Sequence, residues 1–255
     1  MRKKVIAANW KMNKLPNEAI SFIEQLTPLV KDTDNEVVLC VPYIDLFYSL
    51  LYVQGTNIKI GAQNMHWEDS GECTGEISGE MLKAIGVEYV ILGHSYRRQN
   101  FAETDEIINR KLKKALEIGL KPIVGISDNY EQRKNKETEE VITGQLKKIL
   151  NGITKEQILQ TIIAYEPVCA ISTNKDIVAD CVTSEDANNT IKMIRSKIDK
   201  MYENDIAEKV IIQYGESINS KNVKEFFNMS DIDGGIIGGA SLQVEEFAKL
   251  VNFDK

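Results

Sequence analysis

Three polar residues that could move protons next to a carbonyl group each follow a short apolar run of the sequence. Lys11 comes soon after the first run, His94 after the fourth and Glu166 after the sixth. Together, the carboxylate could abstract a proton, the imidazole polarise the carbonyl oxygen and the ammonium stabilise the enediolate charge. Taken singly, Glu166 is equally well explained as a structural ion-pair partner and His94 as a buried core histidine. Their joint placement predicts proton transfer that needs no nucleophile and no cofactor.

Glycines at two further run ends suit the binding of an anion. Gly215-Glu216-Ser217 follows the seventh run and Gly238-Gly239 the eighth. Backbone N–H groups can approach a phosphate closely where no Cβ intervenes. A tight turn into a helix is the alternative explanation for the same residues.

The residues above are placed by eight apolar runs rich in Val and Ile. Short runs of this kind, bounded by Gly, Asn or charged residues, are typical of parallel strands buried on both faces. The predicted strands are 5–8, 37–41, 58–62, 89–92, 122–126, 162–165, 210–212 and 234–237.

Helical periodicity fills the intervals between the runs. The stretch 17–31 places Ala19, Phe22, Ile23, Leu26 and Val30 on one helix face. Further helices are predicted at 43–53, 80–85, 105–117, 137–150, 184–201, 223–227 and 244–251.

The alternation of strand and helix predicts a closed (β/α)8 barrel. A doubly wound open sheet would more often have five or six strands and a glycine-rich first turn, and no Gly-x-Gly-x-x-Gly follows the first run. No Pro-, Gly- or Ser-rich linker divides the chain, and the charged run 133–140 is interpreted as a solvated helix start. We predict one domain over residues 1–255, with its chemistry at the carboxyl ends of the strands.

Composition excludes several other classes of protein. With 31 basic and 38 acidic side chains the net charge is −7, which argues against nucleic-acid or membrane partners. Four scattered cysteines and two histidines predict buried or incidental thiols and no metal site. The apolar run near the start is too short for a signal peptide, and no run of eighteen apolar residues occurs, so we expect a soluble, cytoplasmic protein.

Motifs spread along the whole chain occur in the same order in a known enzyme family. They are Asn9-Trp10-Lys11-Met12-Asn13, Gly61-Ala62-Gln63-Asn64, Thr74-Gly75-Glu76, Gly93-His94-Ser95 with Arg97-Arg98, Ala164-Tyr165-Glu166-Pro167, Asp231-Ile232-Asp233-Gly234 and Gly238-Gly239-Ala240-Ser241-Leu242. In these motifs the sequence resembles the triosephosphate isomerase family. The resemblance implies a TIM barrel that interconverts D-glyceraldehyde 3-phosphate and dihydroxyacetone phosphate, in glycolysis and gluconeogenesis, without a cofactor.

The resemblance also implies a role for each site residue. Glu166 would be the base, His94 would polarise the carbonyl and Lys11 would stabilise the anion. Asn9 would contact substrate, and Ser95 would help to hold Glu166 in the open state. The implied phosphate-binding residues are Ser172, Ser217, Gly238 and Gly239. Residues 65–78 resemble the family's protruding interface loop, in which Thr74 would reach the Asn9 and His94 of a second copy in a homodimer.

Departures from the family pattern lie close to the expected site. Tyr96 stands where the family has a glutamate that contacts the catalytic lysine, and Glu216 replaces a glycine near the phosphate. A carboxylate about 6 Å from that phosphate, at an effective dielectric near 20, would repel it by roughly 3 kcal/mol per unit charge. The other departures are Cys169, Ser172 and Asn174 in the closing loop, extra residues at about 176–180, and Gly125, Ser127 and Asp128 after the fifth strand.

Two alternatives to an efficient triosephosphate isomerase remain open on these departures. One is a catalytically weakened or inactive homologue with a binding or structural role, which the altered loop and Glu216 favour. The other is an isomerase of another small sugar phosphate, with the loop remodelled for a longer substrate.

Overall fold

The computed structural model describes residues 2–168, 182–202, 205–215 and 218–255. Its strands follow one another in chain order around a closed parallel barrel, in which the first strand also pairs with the last. This confirms the predicted (β/α)8 architecture. The strands are β1 (Val5–Asn9), β2 (Glu36–Val41), β3 (Ile58–Ala62), β4 (Tyr89–Leu92), β5 (Lys121–Ile126), β6 (Ile162–Tyr165), β7 (Ile211–Gly215) and β8 (Gly234–Ile237).

Helices connect the strands and surround the barrel. They are α1 (Pro16–Val30), α2 (Tyr43–Tyr52), α3 (Gly79–Ile85), α4 (Ser95–Asn100), α5 (Asp105–Glu117), α6 (Tyr130–Lys134), α7 (Thr138–Ile149), α8 (Lys155–Ile158), α9 (Ser184–Tyr202), α10 (Val223–Phe227) and α11 (Val244–Val251). A short 3-10 helix, Gly239–Leu242, follows β8 directly.

Alternation along each strand divides the apolar core into two layers. In β1, Val5 and Ala7 belong to the cluster inside the barrel, whereas Ile6 and Ala8 belong to the cluster between barrel and helices. Successive strand residues point to opposite faces, so a strand covered on both faces must be apolar at nearly every position. This explains why the strands appear in the sequence as mostly apolar runs.

Helix α1 shows how the periodicity seats a helix on the barrel. Its buried residues are Ala19, Phe22, Ile23, Leu26 and Val30, the face that the three-and-four spacing predicts. Burying a Phe, Ile, Leu or Val side chain contributes about 1.5–3 kcal/mol. The buried face therefore stabilises α1 more than its intrinsic helix propensity does, since a helix this short is only marginally stable alone.

Three of the differences from the sequence prediction have a clear physical reason. Helix α4 was not predicted, because Ser95–Asn100 has no apolar periodicity. The charged run 133–140 is not one helix start: α6 ends at Lys134, and a left-handed Lys136 (φ +62°) separates it from α7. Strand β7 extends to Gly215, because the buried Gln213 donates its amide hydrogens to backbone carbonyls inside the barrel.

Two sequence expectations concern cysteines and membranes. Cys40 lies inside the barrel and Cys73 is partly buried, and neither forms a disulfide, whereas Cys169 and Cys181 lie outside the described residues. Burial raises the pKa of the Cys40 thiol to about 12, so it remains protonated and unreactive. No helix of the described ranges is long and apolar enough to span a bilayer.

Candidate active site

A small cavity at the carboxyl end of the barrel brings together residues from four strand ends. Asn9 ends β1 and Lys11 follows that strand, His94 follows β4 and Glu166 follows β6. Ile236 and Gly238, from β8 and its end, complete the lining. Ile236 is the one lining residue that the sequence did not predict.

The first turn of α4 orients both His94 and Glu166. Gly93 ends β4 in a left-handed conformation (φ +68°), and His94 is the N-cap of the helix. The Ser95 N–H donates to Glu166 Oε2 at 2.9 Å, and the Tyr96 N–H donates to His94 Nδ1 at 3.2 Å. These N–H groups at a helix start have no partners within the helix, so they are available to hold the two side chains.

The Tyr96 contact defines the tautomer of His94. A ring nitrogen that accepts a hydrogen bond carries no proton, so the imidazole with this bond is neutral and its proton is on Nε2. His94 is 8% exposed and lines the cavity. A neutral imidazole N–H can donate to a carbonyl oxygen in the cavity.

Glu166 is fully buried, and only one of its two carboxylate oxygens accepts a hydrogen bond from a described residue. Its exposure is 0%, Oε2 accepts the Ser95 N–H, and Oε1 accepts no hydrogen bond from a described residue. The Ser95 hydroxyl is likewise buried without a partner in the described chain. Burying a carboxylate oxygen without a donor costs stability, so an oxygen of this kind points to a functional role. Glu166, which carries it, lines the cavity.

Lys11 occupies an uncommon backbone conformation beside the last strand. Its φ is +55°, and its N–H donates to Asn9 Oδ1 at 3.0 Å. Its Cε and Nζ lie 3.4 Å from where a Cβ on Gly238 would stand, so the absence of a side chain there leaves room for the ammonium. No carboxylate oxygen of the described residues lies within 4.0 Å of Nζ. Tyr96 is 59% exposed and forms an aromatic contact with Phe101, 6.0 Å between ring centroids.

Two glycines follow β8, and the first of them, Gly238, lines the cavity. Gly239 begins the 3-10 helix, and a Cβ on it would meet no atom within 4 Å. The backbone N–H and the hydroxyl of Ser241 both donate to the Gly238 carbonyl, which fixes this turn. Ser172 and Ser217 lie outside the described residues.

The remaining departures in the closing region also fall outside the described residues. They are Cys169, Asn174, Glu216 and residues 176–180.

The residues after β5 support the end of β6. The Tyr165 hydroxyl donates to Asp128 Oδ1 at 2.8 Å and accepts from Arg133 at 2.8 Å. Burial, and then the Asp128 carboxylate, raise the pKa of Tyr165 well above its ordinary value, so the hydroxyl remains a donor. Ser127 exchanges two hydrogen bonds with the Gln145 amide. Asp128 thus holds the end of β6, which carries Glu166, whereas Ser127 ties the residues after β5 to α7.

Arg98 ties the ends of β4 and β5 together. It donates to the Gly93 carbonyl at 2.8 Å, the Gly125 carbonyl at 3.0 Å and Asp105 Oδ1 at 2.7 Å. No role for Arg98 was predicted, although the Arg97-Arg98 pair is part of a recognised motif.

The loop at residues 65–78 projects from the carboxyl end of β3. A turn between Cys73 and Glu76, with Gly75 at φ +88°, places an exposed Thr74 at its tip. Arg110 of α5 lies 4.2 Å above the Trp67 ring, and Lys114 pairs with Asp69 at 3.2 Å. These contacts brace the loop against the barrel.

Known proteins are similar to this chain over almost its whole length. A family model described as Triosephosphate isomerase matches residues 4–254. The triosephosphate isomerase of Caldanaerobacter subterraneus subsp. tengcongensis is 50% identical over 99% of this chain and 100% of its own length. The enzymes of that name from Acetivibrio thermocellus (47%, all of both chains) and Clostridium botulinum strain Loch Maree (50%, 99% of this chain and 100% of the relative) are similar to it as well. The chain therefore belongs to the triosephosphate isomerase family.

Proposed function

We propose that the protein interconverts dihydroxyacetone phosphate and D-glyceraldehyde 3-phosphate through an enediolate, by proton transfer at Glu166. Family membership already identifies an isomerase of a triose phosphate. The observation that carries the proposal is the pair of N–H groups at the start of α4, which hold a carboxylate and a neutral imidazole at one cavity.

Glu166 is the base in this proposal. In the structure Oε2 rests on the Ser95 N–H, and Oε1 has no donor among the described residues. When substrate fills the cavity, the carboxylate exchanges the Ser95 N–H for the carbon-bound hydrogen next to the carbonyl.

His94, Lys11 and Asn9 stabilise the charge that this transfer creates. The Nε2–H of His94 donates to the carbonyl oxygen as it becomes an enediolate oxygen, and the ring is neutral, as is established for the family's histidine. The Lys11 ammonium supplies the positive charge, and Asn9 fixes the Lys11 peptide while its amide faces the cavity. Groups that are already in place stabilise such charge without reorganisation.

The phosphate binds beside the Lys11 ammonium, at the Gly238-Gly239 turn that the ammonium contacts. This location is supported by the 3.4 Å approach of Nζ to the Gly238 Cβ position and by the unobstructed space at Gly239. Ser172 and Ser217 complete the phosphate site in the proposal.

The test is steady-state turnover of both triose phosphates by the wild type and by Glu166→Gln. The substitution preserves shape and removes the base, so we expect kcat to fall by roughly three orders of magnitude or more with a small change in KM. Equal turnover by the two proteins would contradict the proposal. Turnover of a tetrose phosphate in preference to the trioses would instead indicate a different sugar-phosphate isomerase.

We also propose that two copies associate through the loop 65–78 and the neighbouring apolar surface. Helix α2 exposes Ile44, Phe47, Tyr48 and Leu51, and Met12 is 96% exposed. Clusters of large exposed apolar side chains are typical of interaction sites. In the homodimer Thr74 of one copy reaches the Asn9 and His94 of the other.

Sedimentation velocity of Thr74→Arg tests the association. We expect wild-type protein to sediment at twice the chain mass and Thr74→Arg to dissociate at micromolar concentration, because a bulky charge at the tip cannot enter the neighbour's pocket. Ser21→Arg, the same charge on an exposed residue of α1, is the matched control and should remain dimeric. A monomeric wild type would refute the proposal.

A further inference from the structure

Lys11 has a backbone conformation that its residue type does not favour. At φ +55° it lies in the left-handed region, which L side chains other than Asn and Asp rarely adopt. Such conformations persist only when surrounding contacts hold them, and they concentrate at functional sites. The ammonium also has no carboxylate of the described residues within 4.0 Å to orient it, since Tyr96 occupies the place of a glutamate.

Two side-chain amides hold the Lys11 peptide groups from opposite sides. Asn9 Oδ1 accepts the Lys11 N–H at 3.0 Å, and Gln63 Nε2 donates to the Lys11 carbonyl at 2.9 Å. Gln63 Nε2 also donates to the Cys40 carbonyl at 3.1 Å, and that carbonyl accepts the Trp10 N–H at 3.2 Å. Gln63 therefore connects the carbonyl side of Lys11 to the rigid end of β2.

We propose that Gln63 is a positioning residue for Lys11, which it holds by the backbone in a chain where no carboxylate holds the ammonium. With the Lys11 carbonyl fixed, the left-handed turn directs Cε and Nζ to Gly238. Without the Gln63 donor, the Lys11 peptide relaxes and the ammonium leaves the phosphate and the enediolate oxygen. The inference rests on the proposed function, because it assumes that Lys11 acts on a triose phosphate.

The test is a double-mutant cycle between Gln63→Met and Lys11→Met. Methionine has nearly the length of glutamine and no N–H donor. In the wild-type background we expect Gln63→Met to lower kcat/KM by about twentyfold. In the Lys11→Met background it should change kcat/KM by less than twofold, because a positioning residue has no effect once its target is absent. A purely structural role of Gln63 would lower kcat/KM equally in both backgrounds, and that result would overturn the inference.

Asn109→Leu is the matched control. The Asn109 amide, like that of Gln63, bridges two backbone carbonyls, those of Ile149 (2.6 Å) and Asn151 (3.0 Å), but it lies on α5 away from Lys11. We expect it to change kcat/KM by less than twofold in either background.

If Gln63→Met is unfolded by circular dichroism, Gln63→Glu replaces it, since an ionised carboxylate also has no N–H donor.

The same cycle can be measured on binding, which separates the two proposals. Glycerol 3-phosphate carries the phosphate but no carbonyl, so its affinity reports the position of the Lys11 ammonium without turnover. We expect Gln63→Met to weaken its binding about tenfold only when Lys11 is present. If the wild type fails to isomerise triose phosphates while this coupling is observed, the proposed function is wrong and the positioning role stands. If the wild type isomerises triose phosphates and no coupling is observed, the proposed function stands and the positioning role of Gln63 is wrong.

Discussion

The position of the Glu166 side chain depends on the missing side chain of Gly215, at the end of β7. A Cβ on Gly215 would stand 2.9 Å from Glu166 Cγ and 2.8 Å from Ile236 Cγ2. Ordinary van der Waals contact begins at 3.4 Å, so Gly215→Ala is about 0.5 Å too close to both atoms. Glu166 is fully buried, so its side chain has no open space to avoid the new methyl group and must be displaced.

The magnitude follows from that displacement. Because Gly215 is not in the left-handed region, alanine adds only overpacking, for which about 1–3 kcal/mol of lost stability is typical. A base displaced by up to about 1 Å can lower the rate by as much as a hundredfold. We expect Gly215→Ala to lower kcat by 10- to 100-fold, because the displaced carboxylate no longer meets the substrate in the reactive geometry.

Steady-state kinetics and urea unfolding of two glycine variants test this reasoning. Gly144→Ala makes the same chemical change on α7, where a Cβ would meet nothing within 4 Å. It should leave kcat unchanged and raise the free energy of unfolding by about 0.5–1 kcal/mol. If Gly215→Ala retained wild-type kcat, contact with Gly215 would not determine where the carboxylate lies.

Two further predictions concern stability. Burial raises the pKa of Glu36, but hydrogen bonds from Lys3 and Tyr89 and the charge of Lys121 outweigh it and hold the pKa below its ordinary value of 4.5. The stability that the Glu36 carboxylate contributes is therefore fully present above pH 4.5 and is lost as the pH falls through the folded-state pKa. Urea unfolding should show that Glu36→Gln lowers the free energy of unfolding by about 1 kcal/mol at pH 7 and does not change it at about pH 2. Arg98 donates from three different nitrogens to three separate acceptors, and Arg98→Lys keeps the charge but leaves one nitrogen in their place. We therefore expect a loss of about 2 kcal/mol of stability and a lower kcat. An unchanged melting temperature would show that Arg98 does not hold the strand ends.

The barrel could be predicted from the sequence because its signals are repeated. Strands β3, β4, β6 and β8 have the predicted bounds, since each is an apolar run between polar or glycine residues. The end of β7 was missed because Gln213 interrupts the apolar run, although its side chain is buried by hydrogen bonds within the barrel.

Helix α4 could not be predicted from local pattern because it is stabilised by distant partners. Its N–H groups bind Glu166 and His94, and Arg98 fixes its first turn to β4 and β5. The sequence places each of these residues on its own strand end, but it does not show which N–H meets which side chain.

The candidate site residues were predicted by type and by strand end, whereas the residues that support them were not. Gln63 belongs to a recognised motif, but only the structure shows that it bridges the carbonyls of Lys11 and Cys40. The substitution of Tyr96 predicted a Lys11 without a carboxylate partner, and the described residues provide none. Glu216, whose charge was the strongest reason to question phosphate binding, lies outside the described residues, so its effect remains a prediction.

The most direct test of proton transfer by Glu166 is isomerisation of dihydroxyacetone phosphate in D2O, with the product analysed by NMR. A carboxylate that takes the carbon-bound hydrogen can exchange it with solvent before returning it to the neighbouring carbon. We expect deuterium at C2 of the D-glyceraldehyde 3-phosphate formed by the wild type and no product above background with Glu166→Gln. A product that Glu166→Gln forms at the wild-type rate, with only hydrogen at C2, would indicate direct hydride transfer and would contradict the role of Glu166 as the base.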